Sequence, residues 1–336
     1  MGARRGSLGG DGMRASQQRR HVPVRAAVRR SRVLVDLWLI ARPAIWLVSL
    51  VPFYVGHLLA TRWLIAGQDA CAPMSGGCLE AVTPVLTGLV VWGPLVWLAV
   101  LAINDAFDLD GDLKNPRKDD APLVEGRLSV RGALVAAHVT AAAALLVALT
   151  VRPAFALVTL GFLVLGWLYS VPPVRLKDRP GFDVATNAAG VGGFALLAGW
   201  TVVRPIEGFP WVMAVEGVLV ATALYIPTTV TDYKADLASG YRTIAVRLGP
   251  RGAHRIGLAA WTASCALAVA LAATGHVFPH RTLWTQAVSA PVLVWVYHRF
   301  LGRAREPGEV LHGIVVASWA FLVPYLVFAL MYARVI

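Results

Sequence analysis

The stretch NDAFDLDGDLKNPRKDDAPL, residues 104–123, directly follows LVVWGPLVWLAVLAI, a run without a single charge. It holds Asp105, Asp108, Asp110, Asp112, Asp119 and Asp120, six of the chain's 19 acidic residues. Asp105, Asp108 and Asp112 are spaced i, i+3, i+7. If the apolar helix continues through them, they share about 60° of its surface. Asn104 lies on the same side and Asp110 points away. Three carboxylates and an amide therefore form one stripe at the end of a greasy helix.

The rest of the chain sets that stripe in a membrane. Of 336 residues, 57% are hydrophobic and 15% charged, against about 25% charged in an ordinary soluble domain. Mean hydropathy is +0.63. Apolar runs of about 20 residues, each long enough to cross a bilayer core, recur along the chain. The expected fold is all-α and polytopic, with nine spans near 34–60, 83–104, 130–150, 154–171, 183–203, 211–231, 253–274, 283–301 and 311–333. Residues 1–32 carry nine Arg against Asp11 alone. They read as a disordered basic tail facing anionic lipid, with 33–336 as the membrane domain. No cleavable signal peptide is expected. Nucleic acid is not the partner this charge implies, because the charge follows the membrane topology.

With the amino terminus on the cytoplasmic side, most of the 31 Lys and Arg fall inside. Only Arg62, Arg152, Arg204, Arg281 and Arg334 fall outside, and Arg42 lies within span one. This is the positive-inside pattern. The long loops 105–129, 172–182 and 232–252 share the basic side, so the functional face is expected to be cytoplasmic. Cys71 and Cys78 share one outside loop, as a disulfide or as two separate thiols.

A second acidic pair, Asp232 and Asp236, sits in TDYKADLASGYRTIAVRLG at the matching end of span six. The i, i+4 spacing puts both on one face. Both motifs lie at helix carboxyl ends, where the macrodipole disfavours anions. Hard divalent cations with oxygen ligands compensate such charge, and Mg²⁺ characteristically binds one or two carboxylates plus substrate phosphates. Solvated loop charges explain one such motif equally well. Two at matching helix ends favour a metal site.

Basic residues complete the pattern. Span four ends in GWLYSVPPVRLKDRPGFD, where Pro172 and Pro173 stop the helix and Arg175, Lys177 and Arg179 follow. Such cations suit phosphate oxygens. Arg117, Lys118, Lys234 and Arg242 are further candidates. Arg42, beside Pro43 in span one, and Asn187 in span five are polar groups at membrane depth that suit a cavity.

These residues resemble the UbiA superfamily of intramembrane prenyltransferases. NDAFDLDGD matches its N-D-x-x-D-x-x-x-D motif, and DYKADLASGYRT matches its second motif, with Gly240 and Thr243 at the fixed offsets. YSVPPVRLK, residues 169–177, matches a third signature. The resemblance covers about residues 34–333. It implies nine helices around a central cavity and Mg²⁺ held by Asp105, Asp108, Asp112, Asp232 and Asp236, which are thereby catalytic. Arg175 and Lys177 would bind the phosphates of the donor; beside them, Asn104, Arg42, Arg117, Lys118, Tyr169, Asn187 and Lys234 complete the expected substrate-binding set. The substrates are a prenyl diphosphate donor and a lipophilic acceptor, aromatic or isoprenoid, within membrane lipid. Two departures stand out: Ala121 replaces an Arg frequent in the family, and Lys234 replaces an acid. NPRK at 115–118 and RPGFD at 179–183 resemble the carotenoid-elongating branch. The expected setting is a bacterial cell membrane. Cyclisation of the prenyl chain, and more distantly cation transport, are the competing readings.

Overall fold

The computed structural model describes residues 33–68, 77–115, 118–304 and 306–336. The basic tail, Cys71 and Arg117 lie outside them. The described residues form helices and connecting turns without a strand. In chain order the helices are α1 (Val33–Ala41), α2 (Pro43–Thr61), α3 (Cys78–Asp112), α4 (Val130–Val151), α5 (Pro153–Ser170), α6 (182–201), α7 (Trp211–Ser239), α8 (Ile244–Thr274), α9 (Leu283–Leu301) and α10 (Pro307–Tyr332). With α1 and α2 counted together, these occupy the nine expected spans. Seven helices are individually long and apolar enough to cross a membrane. The other two are α9 and α6, the latter built from short pieces around a π-turn at Ala189–Phe194. Exposed apolar side chains such as Leu146, Leu157, Trp284 and Trp319 cover the outside. The protein is an integral membrane protein.

Span one differs from the expectation. It is broken at Arg42, which adopts φ 46°, ψ 68°. Proline disfavours the α conformation in the residue before it and itself suits the first helical position. The Arg42-Pro43 pair therefore ends α1 and starts α2. Arg42 sits at a helix break, not inside a continuous span. A second difference is that α8 begins at Ile244, with a kink at Gly249 (φ 70°) ahead of Pro250.

Two features hold the bundle together. Helices in lipid gain from close backbone approach at small residues. A Cβ on Gly56 would lie 1.9 Å from the Leu196 carbonyl oxygen, and one on Gly199 would lie 1.7 Å from that of Phe53. These reciprocal glycines clamp α2 to α6. Gly192 and Gly217 do the same for α6 and α7, where each Cβ would meet the partner's carbonyl oxygen at 2.2 Å. The second feature is polar pairing at membrane depth, where unsatisfied groups are costly. The Trp97 indole donates to Ser49 Oγ (2.7 Å), Ser49 donates to the Trp92 carbonyl (3.1 Å), and the Trp92 indole donates to Thr159 Oγ1 (3.2 Å). That chain ties α2, α3 and α5 around the π-turn Val91–Leu95, which contains Pro94. Below these contacts, α3 and α7 run on to the same end of the bundle and deliver the acidic motifs there.

Candidate active site

Helix α3 continues unbroken to Asp112, so the stripe forms as the spacing requires. Asp105 is buried, and Asp110 is exposed on the opposite side. Each carboxylate of the stripe faces a cation from another segment. Arg42 Nη2 lies 2.5 Å from Asp105 Oδ1. Lys118 Nζ lies 3.2 Å from Asp112 Oδ2 and 3.9 Å from Asp105 Oδ1. Asp108 Oδ1 receives both Lys177 Nζ at 2.5 Å and Arg175 Nη2 at 3.0 Å. Asn104 Oδ1 accepts from Lys177 Nζ (3.0 Å) and Ser170 Oγ (3.3 Å). The helix break at Arg42 has a use here, since it aims the guanidinium at the stripe.

The segment after α5 holds the basic pair. Arg175, at φ 38°, donates to the Phe107 carbonyl (3.2 Å) and pairs through Nε with Asp178 (2.5 Å). Lys177 is 9% exposed. Burial pushes its amine below the ordinary lysine range, and Asp108 opposes that shift. The outcome is a partly desolvated ammonium aimed at Asp108, a strong point charge for an anion.

Helix α7 carries Asp232 and Asp236. Gly240 closes the helix at φ 76°, a conformation glycine adopts without strain. Thr243 Oγ1 donates to Asp236 Oδ2 at 3.1 Å. The two motifs and the basic segment are joined by three residues outside the sequence-derived set. Asp183 is buried and accepts from the backbone N–H of Gly181 (2.8 Å) and of Ile244 (2.9 Å). It therefore ties the basic segment to the start of α8, just after Thr243. Tyr241 packs its hydroxyl against Gly111, and its ring lies 5.8 Å under the Arg175 guanidinium. Tyr225 Oη lies 3.1 Å from Tyr169 Oη, and the Tyr169 ring is 6.0 Å from Lys177 Nζ. A sequence signal existed for Tyr225, which lies two helical turns before Asp232 on the same face.

Asn104, Asp105, Asp108, Asp112, Arg42, Lys118, Tyr169, Arg175 and Lys177 thus gather in one cluster, and Asp236 on α7 lies within electrostatic reach of Asp178 and Asp183. Asn187 Nδ2 donates to the Asp183 carbonyl one turn back, and its side chain also hydrogen-bonds the Tyr169 hydroxyl. Lys234 departs from the expectation. Its side chain is 90% exposed and faces Glu306 at 3.8 Å, outside the cluster. Helix phase explains this, because two residues past Asp232 is about 160° around α7.

An apolar helical bundle that gathers acidic helix ends and a basic segment at one end defines a class, an integral membrane protein with a charged cluster beside its spans. The UbiA prenyltransferase family model matches residues 50–321; the chain belongs to that family. The C(50) beta-cyclic carotenoids biosynthesis protein LbtBC of Dietzia sp. is 30% identical over 257 residues, 73% of this chain and 54% of that protein. This chain thus spans about half the length of that relative. Lycopene elongase/hydratase of Haloferax volcanii is 32% identical over 71% of this chain and 73% of its own. Among solved structures, a UbiA homolog from Archaeoglobus fulgidus bound to GPP and Mg²⁺ has the same fold. The TM-score is 0.67 at 22% identity, covering 88% of this chain and 99% of that one.

Proposed function

We propose that this chain transfers an isoprenyl group from a prenyl diphosphate to a lipophilic isoprenoid acceptor of carotenoid type, releasing diphosphate. The observation that carries the reading is the charged cluster at one end of the apolar bundle, where Asp105, Asp108 and Asp112 pair with Arg42, Lys118, Arg175 and Lys177 and Asp236 lies within electrostatic reach of Asp178 and Asp183. The carotenoid acceptor is supported by the relatives from Dietzia and Haloferax and by several further ones named lycopene elongase/hydratase. The charge asymmetry of the loops supports a cytoplasmic site in a bacterial cell membrane.

The donor set fits Mg²⁺ in chemistry, because Asp105, Asp108, Asp112, Asp232 and Asp236 offer only hard oxygens. Among the described residues no three acidic, imidazole or thiol groups converge as a ready-made cage. That accords with Mg²⁺, which takes few protein ligands and completes its shell with phosphate and water. When bound, Mg²⁺ neutralises charge on the diphosphate as it departs.

The chain's own groups do the rest. Arg175 and Lys177 present a fork and a point charge to phosphate oxygens. Arg42 and Lys118, now paired with Asp105 and Asp112, are within the same charged cluster and can turn to the same anion. The allylic C–O bond breaks with its electron pair leaving on the diphosphate. An acceptor double bond supplies the electron pair for the new C–C bond, and the acceptor then gives up a proton. The apolar bundle keeps water from the allylic cation. Fixed cations stabilise the leaving charge without reorganising.

The test is diphosphate release by purified protein in nanodiscs, supplied with C5, C10, C15 or C20 donors, with Mg²⁺ or EDTA, with and without a linear carotenoid. Release that needs Mg²⁺ and yields a lengthened carotenoid is the expected result. A cyclic product formed without acceptor would replace transfer by cyclisation. Neither turnover nor donor binding would sink the enzyme reading and favour ion transport.

A smaller prediction concerns Gly111→Ala. The new methyl would lie 2.5 Å from Tyr241 Oη, so the phenol must leave its place beneath Arg175. Turnover is expected to fall about tenfold, the scale of losing one positioned group. The melting temperature should stay close to its starting value, because the contact lies at the bundle's edge. Unchanged turnover would show that the Tyr241 contact has no part in aligning Arg175.

A further inference from the structure

We propose that Tyr225 is a positioning residue, whose hydroxyl fixes the Tyr169 phenol beside the charged cluster that would hold the diphosphate. The proposal rests on the transferase reading above and adds a group that none of the three sequence motifs contains. Its basis is a phenol–phenol hydrogen bond of 3.1 Å joining α5 to α7.

The surroundings of the two rings differ. Tyr225 packs against a cluster containing Val184, Ile226, Val230 and Ile244, from α6, α7 and the start of α8. That cluster is tied to the motif segment by the bond from the Ile244 N–H to Asp183. Tyr225 is therefore held from behind by apolar packing, and its hydroxyl is directed at Tyr169. Tyr169 ends α5 one residue before Ser170, which donates to Asn104. Its ring stands 6.0 Å from Lys177 Nζ, the cation that binds both Asn104 and Asp108. Tyr169 is thus the aromatic face beside the charges that would hold the diphosphate, and Tyr225 is its brace.

The chemistry needs such a brace. As the C–O bond breaks, positive charge appears on a carbon next to the anion held by Lys177. An aromatic face and a phenol oxygen stabilise that charge only if already in place. Without Tyr225, the Tyr169 hydroxyl keeps the Asn187 side chain as its partner and turns toward it, away from the direction that Tyr225 sets. Tyr225 itself spends its hydroxyl on Tyr169, so its effect is transmitted through that residue. The two should then act as one unit, and their effects should not multiply.

The experiment is a double-mutant cycle on full-length protein in nanodiscs, using Tyr169→Phe, Tyr225→Phe and the double variant. Three quantities are read: the turnover number for diphosphate release, the Kd for a prenyl thiodiphosphate by tryptophan fluorescence, and the melting temperature. Tyr225→Phe is expected to lower turnover about tenfold, with the Kd within twofold of the unaltered protein. The double variant should be no slower than the slower single one, the signature of coupled residues. Turnover within twofold for Tyr225→Phe, or effects that multiply, would overturn the proposal. So would a fall in melting temperature with parallel loss of thiodiphosphate binding, which marks a purely structural role. Absence of release by the unaltered protein would remove the transferase reading and this inference with it. Release by that protein with an unaffected Tyr225→Phe removes the inference alone.

Discussion

Asp108→Asn is expected to lower diphosphate release by a factor of about 10²–10³ while leaving the protein folded. The size follows from what one carboxylate holds. Asp108 Oδ1 is shared by Arg175 and Lys177 at 3.0 and 2.5 Å, so the neutral amide removes the anion that aligns both cations proposed to bind phosphate. It also removes one of the five carboxylates proposed to hold Mg²⁺. Loss of a preorganised electrostatic group at a site of charge development typically costs that much rate, or about 3–4 kcal/mol of barrier. The fold should survive, because Lys177 keeps Asn104 Oδ1 at 3.0 Å and Arg175 keeps Asp178 and the Phe107 carbonyl. The check is turnover beside the melting temperature. Activity within tenfold of the unaltered protein would remove Asp108 from the machinery. A collapsed melting temperature would recast the pair as structural.

Gly199→Ala is expected to have the opposite profile, a loss of stability first and of activity as a consequence. The new Cβ would lie 1.7 Å from the Phe53 carbonyl oxygen and 2.6 Å from its carbon. Those are backbone atoms of α2 and cannot swing aside, so the two helices must separate by more than an ångström. Overpacking of a tight core costs about 1–3 kcal/mol and sometimes more. Here the reciprocal contact of Gly56 with Leu196 is lost at the same crossing. A drop of several degrees in melting temperature is expected. Because α2 begins at Pro43, its displacement also carries Arg42 away from Asp105. Gly193→Ala is the control, since its Cβ meets only Val218 at 3.7 Å, an ordinary contact. Equal melting temperatures for the two variants would show that the crossing tolerates a methyl group.

The two variants divide the molecule as the sequence does. Asp108 was legible because an amphipathic stripe needs only helical phase, and a helix that runs on to Asp112 has no freedom in where it puts i, i+3 and i+7. The same reasoning found Asp232 and Asp236. It also applies to Lys234, whose place two residues from Asp232 turns it outward to Glu306. Charge and nearness in sequence, read without that phase, place Lys234 in the site. Arg42 was legible as an unusual charge at membrane depth, and Pro43 beside it held the cue for the break that the structure shows.

Sequence by itself determined that this is a membrane protein of nine expected spans, that its basic residues concentrate in alternate loops, and which two helix ends carry acids. Those properties are local, read from hydropathy, charge and a period of 3.6 residues. Tertiary structure alone decided which cation meets which carboxylate, that Tyr225 reaches Tyr169, and that Asp183 ties the basic segment to α8. Such pairings depend on how far each helix is rotated about its own axis and how closely it approaches its neighbours. That rotation and spacing are set where Gly56 meets Leu196, Gly199 meets Phe53 and Gly192 meets Gly217. Residues far apart in the chain come within hydrogen-bond reach only once those backbones touch.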